Sequence, residues 1–228
     1  MAGPPPLPTP LGLVAVKVLG IDEAGRGALL GPLIVAGVLV AQEDLERLRE
    51  RGASDSKGVR RERRRDVLLS LRGLFLGARV CTIAPRDIDG TNLTELELTA
   101  AVEIVRRLRP HVLVFDAPVS PGAIPGLAER LRSRCALAGA EPREIIVVPK
   151  ADRDFPVVGA ASLLAKVTRD AYVMYLRRRY GDFGWGYPAE EAAVRFLRAW
   201  WERHGELPPI CRRKWATARR LLTPELEL

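Results

Sequence analysis

Apolar positions along this chain fall into short β-branched runs and into longer stripes at helical spacing. Val14 to Ile21 is such a run, and it predicts a strand that ends at Asp22. A glycine-rich turn, Gly25-Arg26-Gly27, leads to a second apolar run, Leu33 to Val40, and the pair reads as a hairpin. Glu43 to Arg51 predicts a short polar helix and Ser54 to Lys57 a loop. Val59 to Leu71 predicts an arginine-rich helix with its stripe at Val67, Leu68 and Leu71, and Ala78 to Ile83 a third strand. Thr91 suits a helix cap, and Pro110 stops the helix after about Leu108. Two strands follow: the apolar His111 to Phe115, ending at Asp116, and the buried Glu144 to Val148, ending at Pro149-Lys150-Ala151-Asp152; the helix between them is Leu127 to Leu137. Pro156 opens a long helix to about Tyr180. Beyond a glycine-rich loop, Gly181 to Tyr187, one helix runs from Pro188 to Gly205, and a last short one covers Arg213 to Leu222.

This order predicts an α/β fold: a mixed five-stranded sheet flanked by helices, with a C-terminal helical appendage. The three early strands lack long crossovers and suggest antiparallel pairing. The two later ones come with helical crossovers and suggest parallel pairing at one edge. The expected organisation is a proline-rich tail over 1–12, a main domain over 13–180 and a helical segment over 181–228. The tail has five prolines in its first ten residues and no basic residue, which reads as stiff and disordered and not as a signal peptide. The longest nearly apolar run, Ala28 to Ala41, has 14 residues and is broken by Gly31, Pro32 and Gly37, so no membrane partner is expected.

Charge narrows the partner. Lys plus Arg is 36 against 28 Asp plus Glu, a net +8. Residues 150–220 hold 15 basic and 8 acidic residues, so nearly all the surplus lies in the last third, where a phosphate-tracking surface is expected. Three scattered cysteines (Cys81, Cys135, Cys211) and two histidines (His111, His204) argue against zinc, a disulfide framework and Ser-His-Asp chemistry, and they fit a cytoplasmic protein with reduced thiols.

Acids close the apolar strands. Asp22 ends the first and Glu23 follows; Asp116 ends the fourth; Asp152 sits just past the fifth. Ligands of open sheets bind beyond strand ends. Taken singly, each acid is better read as a cap or an arginine partner. Together they would repel one another, by roughly 4 kcal/mol per pair at ~4 Å and an effective dielectric of about 20, unless a divalent cation sits among them. Oxygen-only ligation suits Mg²⁺ or Mn²⁺. Asp22 and Glu23 can serve one site only if the strand ends or bulges there, because neighbours in a strand face opposite ways.

These residues carry a resemblance. Gly20-Ile21-Asp22-Glu23-Ala24-Gly25-Arg26-Gly27 with Gly31-Pro32 resembles the opening signature of the ribonuclease HII family. The likeness continues through Asp55-Ser56-Lys57, Asn92-Leu93 with Glu95 to Glu97, Lys150-Ala151-Asp152 with Phe155-Pro156-Val157-Val158, and Ala160 to Asp170. It ends with Gly186-Tyr187-Pro188 and Pro209-Ile210 with Trp215 and Thr217, in the archaeal style. It covers about residues 17–220 and implies a ribonuclease H-like catalytic domain, with the 181–228 segment contributing to substrate binding.

The resemblance further implies an endoribonuclease that cuts the RNA strand of RNA/DNA hybrids, and duplex DNA 5′ of an embedded ribonucleotide. Asp22, Glu23, Asp116 and Asp152 would be catalytic and hold two divalent ions (Mg²⁺ or Mn²⁺) about 3.5–4 Å apart, giving 5′-phosphate and 3′-hydroxyl ends. Gly25, Arg26 and Gly27 resemble a backbone sensor of the 2′-hydroxyl, and Tyr187 the tyrosine that packs on the adjoining sugar. Lys57, Lys166 and Arg169 match motif positions expected at phosphates, and Arg195, Arg198, Arg212, Arg213 and Lys214 form a group expected along a duplex groove. Asp154 and Asp170 fall outside the acid positions. Ala189-Glu190-Glu191 departs from the family's usual Ser-Asp and reads as a different cap. Thr223 to Leu228 shows no clamp-docking motif, which puts sliding-clamp binding in doubt. A monomer is expected. The competing readings are a non-catalytic nucleic-acid-binding module on the same scaffold and a catalytic subunit that needs accessory partners.

One Asn, one Gln and 31 Arg fit either heat adaptation or a GC-rich genome. Cooperative melting above about 80 °C is the outcome expected of heat adaptation, and a midpoint in the ordinary ~45–65 °C range would assign the bias to codon usage.

Overall fold

The computed structural model describes residues 15–53 and 58–222. The tail over 1–12, the Asp55-Ser56-Lys57 loop with its expected phosphate contact Lys57, and the 223–228 segment lie outside the described residues. In chain order the elements are β1 Lys17–Ala24, β2 Leu33–Ala41, α1 Leu45–Glu50, α2 Arg61–Leu71, β3 Phe75–Ile83, α3 Pro85–Gly90 and α4 Leu93–Leu108. They continue with β4 Val112–Asp116, α5 Ile124–Leu137, β5 Glu144–Val148, α6 Ala151–Asp154, α7 Pro156–Tyr180, α8 Glu191–His204 and α9 Ala216–Leu222.

Five strands form one mixed sheet in the order β3-β2-β1-β4-β5. β1 pairs parallel with β4, from Val18 opposite Val112 to Ile21 opposite Phe115, and β4 pairs parallel with β5, ending at Asp116 opposite Val148. The parallel edge expected from the helical crossovers is therefore present, and β4 is its middle strand. Parallel strands are covered on both faces and need apolar residues throughout; in β4 the four residues Val112–Phe115 are all buried. His111 closes the start of this edge: Lys17 N–H donates to its Nδ1 at 3.0 Å, and His111 N–H donates to Lys17 C=O at 2.9 Å.

Several boundaries differ from the sequence reading. β1 does not stop at Asp22 but runs to Ala24. The cap of α4 is Asn92, not Thr91: its Oδ1 accepts from Thr94 N–H at 2.9 Å, and its C=O from Glu95 and Leu96 N–H. Two short helices, α3 and α6, are too brief to show periodicity. Pro188 lies inside a turn that Glu190 N–H closes on Tyr187 C=O at 3.0 Å, and α8 starts at Glu191.

The chain divides into two compact units that interleave in sequence. Of the described residues, the first holds 15–23, 35–53, 58–81 and 97–167, and the second 24–34, 82–96 and 168–222. The first has a core built from Val18, Val38, Val40, Val112 and Val114 with the small-residue start of α7, Val157, Val158, Ala160 and Ala161. The second packs Leu29, Leu30, Val173, Phe183, Leu197 and Ile210. The three cysteines are free thiols, with Cys135 and Cys211 buried. No helix among the described residues is long and apolar enough to cross a membrane.

Close approach of α7 to β1 is set by glycine. A Cβ on Gly20 would stand 2.4 Å from the carbonyl carbon of Val157 and 2.6 Å from the amide nitrogen of Val158, both main-chain atoms that cannot rotate away. Gly20→Ala should therefore destabilise the fold by about 1–3 kcal/mol, the usual cost of overpacking. Gly73→Ala, where a Cβ meets nothing within 4 Å, should stay within about 0.5 kcal/mol of wild type. Denaturant melts of the two variants check the difference.

Candidate functional site

The parallel register brings the strand-end acids to one edge. Pairing of β1 with β4 reaches Ile21 and Phe115, so the next residue on each strand is an aspartate, Asp22 beside Asp116. Asp116 Oδ1 accepts from Ala151 N–H at 3.0 Å and so holds the start of α6, whose second residue is Asp152. Lys150, just before α6, has left-handed backbone (φ 58°). That conformation costs a non-glycine residue on the order of 1 kcal/mol, and it lets the chain turn from β5 into α6 within two residues. Three of the four acids are thus placed by main-chain geometry at the C-terminal ends of neighbouring parallel strands.

Burial decides what these carboxylates cost. Asp22 is 6% exposed and Asp152 3%. Asp116 and Glu23 are half-buried. Burial pushes the Asp22 carboxyl above the usual carboxylate range, and the charge of Asp152 pushes it further. A hydrogen bond with Ser162, one from Glu23 N–H at 2.7 Å and the charge of Lys166 act against the rise. Lys166, which the sequence places at a motif position expected at phosphates, therefore lies near Asp22. Glu23 is different. Because β1 continues to Ala24, regular strand alternation would send Asp22 and Glu23 to opposite faces. Among the described residues no three His, Cys, Asp or Glu side chains stand together as a ready-made cation cage. The donor chemistry nevertheless fits a hard divalent cation: the donors are carboxylate oxygens, and the buried Asp22–Asp152 repulsion is what such an ion removes.

The second unit builds a separate feature around the Gly25-Arg26-Gly27 turn. Gly25 has φ 91°, a region that favours glycine, and a Cβ there would stand 2.2 Å from Arg169 Nε. The turn closes through Ala28 N–H to Gly25 C=O at 3.1 Å. Beneath it lie two buried arginines. Arg169 (2% exposed) donates from Nη2 to the carbonyls of Trp185 at 3.0 Å and Leu30 at 3.3 Å. Its guanidinium carbon lies 4.8 Å from the ring centroid of Tyr187. Arg212 (0% exposed) donates from Nη2 to Gly25 C=O at 2.7 Å and Gly31 C=O at 3.4 Å, and from Nη1 to Arg26 C=O at 2.8 Å. Desolvation, with the Arg169 charge second, lowers the Arg212 pKa to about 10.

These contacts change two expectations. Arg212 has no surface to offer a duplex groove; it is a buried clamp on turn carbonyls. Arg169, expected at a phosphate, has carbonyl and aromatic partners inside the unit. Arg195, Arg198, Arg213 and Lys214 are exposed, as a groove-lining role requires. Tyr187 is half-buried on a loop that Glu190 organises by accepting N–H bonds from Trp185 at 2.6 Å and Gly186 at 3.1 Å. That is the work of the acid at the unusual Ala189-Glu190-Glu191 position. Sequence reasoning missed the Arg212 clamp; its one signal is an arginine inside the Pro209-Ile210 to Trp215 motif.

The comparisons with known proteins follow the same residues. The family model described as Ribonuclease HII matches residues 19–218. A curated ribonuclease HII of Aeropyrum pernix is 40% identical over 207 residues, covering 91% of this chain and 91% of that one. The crystal structure of ribonuclease H2 from Pyrococcus horikoshii OT3 superimposes with a TM-score of 0.82 at 34% identity, covering 90% of this chain and 97% of that one. The ribonuclease HII of a PCNA complex from Archaeoglobus fulgidus gives a TM-score of 0.78 at 32% identity, over 90% of this chain and 96% of that one.

A buried carboxyl with a raised pKa holds its proton more tightly folded than unfolded. The cation-free fold therefore loses stability as pH rises from the usual carboxylate range through the raised Asp22 value. Asp22→Asn should raise the melting temperature at pH 7 in the presence of a chelator, and Mg²⁺ or Mn²⁺ should stabilise wild type more than the variant. Calorimetric melts with and without the metal check both signs; an Asp22→Asn variant less stable than wild type in chelator contradicts them.

Proposed function

The chain belongs to the ribonuclease HII family and is a ribonuclease H, and we propose that it nicks the RNA strand of RNA/DNA hybrids and duplex DNA 5′ of an embedded ribonucleotide. The observation that carries the reading is the parallel register that sets Asp22 beside Asp116 and ties Asp116 to the start of the Asp152 helix.

In this reading Asp22, Asp116 and Asp152 hold the divalent cations, and Glu23 joins them only where β1 departs from regular alternation. Two Mg²⁺ or Mn²⁺ ions, when bound, supply an activated water and charge compensation for in-line hydrolysis of the phosphodiester, leaving 5′-phosphate and 3′-hydroxyl ends. The protein's own part is orientation. Asp116 fixes α6 through Ala151 N–H, and Ser162 and Lys166 steady the Asp22 carboxylate. No side chain need form a covalent bond to substrate, so the rate rests on positioning and electrostatics.

Choice of ribose over deoxyribose falls to the Gly25-Arg26-Gly27 turn and to Tyr187. Glycine lets the main chain come close to a sugar, and a half-buried ring supported by Arg169 offers a firm face for it. The exposed basic residues of 195–214 supply phosphate contacts, each adding to the salt dependence of binding.

The test is cleavage of an RNA/DNA hybrid and of a duplex carrying one ribonucleotide, by the lone purified chain with Mg²⁺ or Mn²⁺. Wild type should cut both. Asp116→Asn and Asp152→Asn should each lose about 10²–10³-fold in rate, the scale of removing a preorganised electrostatic group. Full activity in either variant, or binding without cutting by wild type, would refute the reading.

A further inference from the structure

Arg212 has a role that the cation site does not explain. It is fully buried, it comes from 181 or more residues further along the chain, and its Nη groups go to carbonyls of the 25–31 turn. No carboxylate is among these contacts; the rest of its surroundings include the Trp215 ring, 5.0 Å from the guanidinium carbon. A buried arginine on turn carbonyls is costly unless the arrangement it fixes matters.

Peptide planarity says what is fixed. In a trans peptide the C=O of one residue and the N–H of the next point in opposite directions. Arg212 draws the Gly25 and Arg26 carbonyls inward, at 2.7 and 2.8 Å. The N–H groups of Arg26 and Gly27 are thereby turned away from the guanidinium. Gly25 C=O also accepts from Ala28 N–H, so both its lone pairs are engaged. The turn is left presenting donors, a small nest suited to an oxygen acceptor.

The segment that carries Arg212 is itself held in place. Arg212 N–H donates to Leu29 C=O at 3.0 Å, and Gly31 N–H donates to Ile210 C=O at 2.8 Å. Asp89 accepts from the N–H groups of Arg213 at 2.8 Å and Lys214 at 3.0 Å. Turn and clamp are one hydrogen-bonded assembly within the second unit.

Resting on the reading of this turn as the ribose sensor, we propose that Arg212 is a positioning residue for substrate choice: by pinning the Gly25 and Arg26 carbonyls it aims the Arg26 and Gly27 amides at the 2′-hydroxyl oxygen. A lysine at 212 keeps the positive charge but cannot span two carbonyls with a planar fork. It should loosen the amides while leaving the phosphate contacts alone.

The experiment measures Kd for a duplex with one ribonucleotide and for the same duplex in all-DNA form. It is done in an Asp116→Asn background so that the substrate survives. Arg212→Lys should reduce the ribonucleotide preference about tenfold, the scale of losing one charge-assisted hydrogen bond. All-DNA binding should change by no more than about twofold, because it rests on phosphate contacts. A merely structural role would weaken both affinities together, and that outcome, or an unchanged ratio in a variant that melts cooperatively, overturns the proposal. If Arg212→Lys does not fold, Asp89→Ala carries the test, with a smaller loss of the same ratio expected and an unchanged ratio overturning it. Failure of the underlying reading looks different: the Asp116→Asn parent itself would show no preference for the ribonucleotide duplex, and both claims would fall.

Discussion

The constraint on which this molecule turns is the cost of holding Asp22 and Asp152 buried together. Each is nearly covered, and the charge of one raises the proton affinity of the other. A fold does not keep two like charges buried together for stability, since each loses its hydration and each repels the other. Much else in the first unit serves to keep the pair where it is. Gly20 lets α7 press on β1 and bring Ser162 and Lys166 toward Asp22. The strained Lys150 turns β5 sharply into α6, and Asp116 secures that turn. Glycine contact, strained turn and aspartate anchor all answer to one electrostatic problem, which divalent cations would resolve.

The second unit shows the same logic with opposite charge. Two buried guanidinium groups, Arg169 and Arg212, are solvated by main-chain carbonyls and aromatic faces. They hold a glycine turn that follows Glu23 within the same stretch of chain. The basic surplus after Lys150 is therefore not all of one kind. Part of it is surface, as at Arg195 and Arg198, and part is internal scaffolding.

Much of this was legible in the sequence. Apolar runs closing on acids gave β1, β4 and β5 and pointed to Asp22, Asp116 and Asp152, because buried parallel strands need uninterrupted apolar residues and an acid at the end of one is conspicuous. The roles of those acids rest on proposal, but their convergence on one sheet edge follows from the register. What was not legible depends on contacts between distant residues. The two extra residues of β1 carry no periodic signal. The burial of Arg212 depends on carbonyls nearly two hundred residues away, and nothing local separates it from its exposed neighbours Arg213 and Lys214. Asn92 displaced Thr91 as a cap because both residues suit that position and only the observed hydrogen bond selects one.

The central claim, that the strand-end acids form a divalent-cation site, is tested most directly by titrating Mn²⁺ into the purified chain and measuring the heat of binding. The account predicts saturable binding to wild type that is lost or much weakened in Asp152→Asn. Equal binding by wild type and Asp152→Asn, or none by wild type, would contradict it.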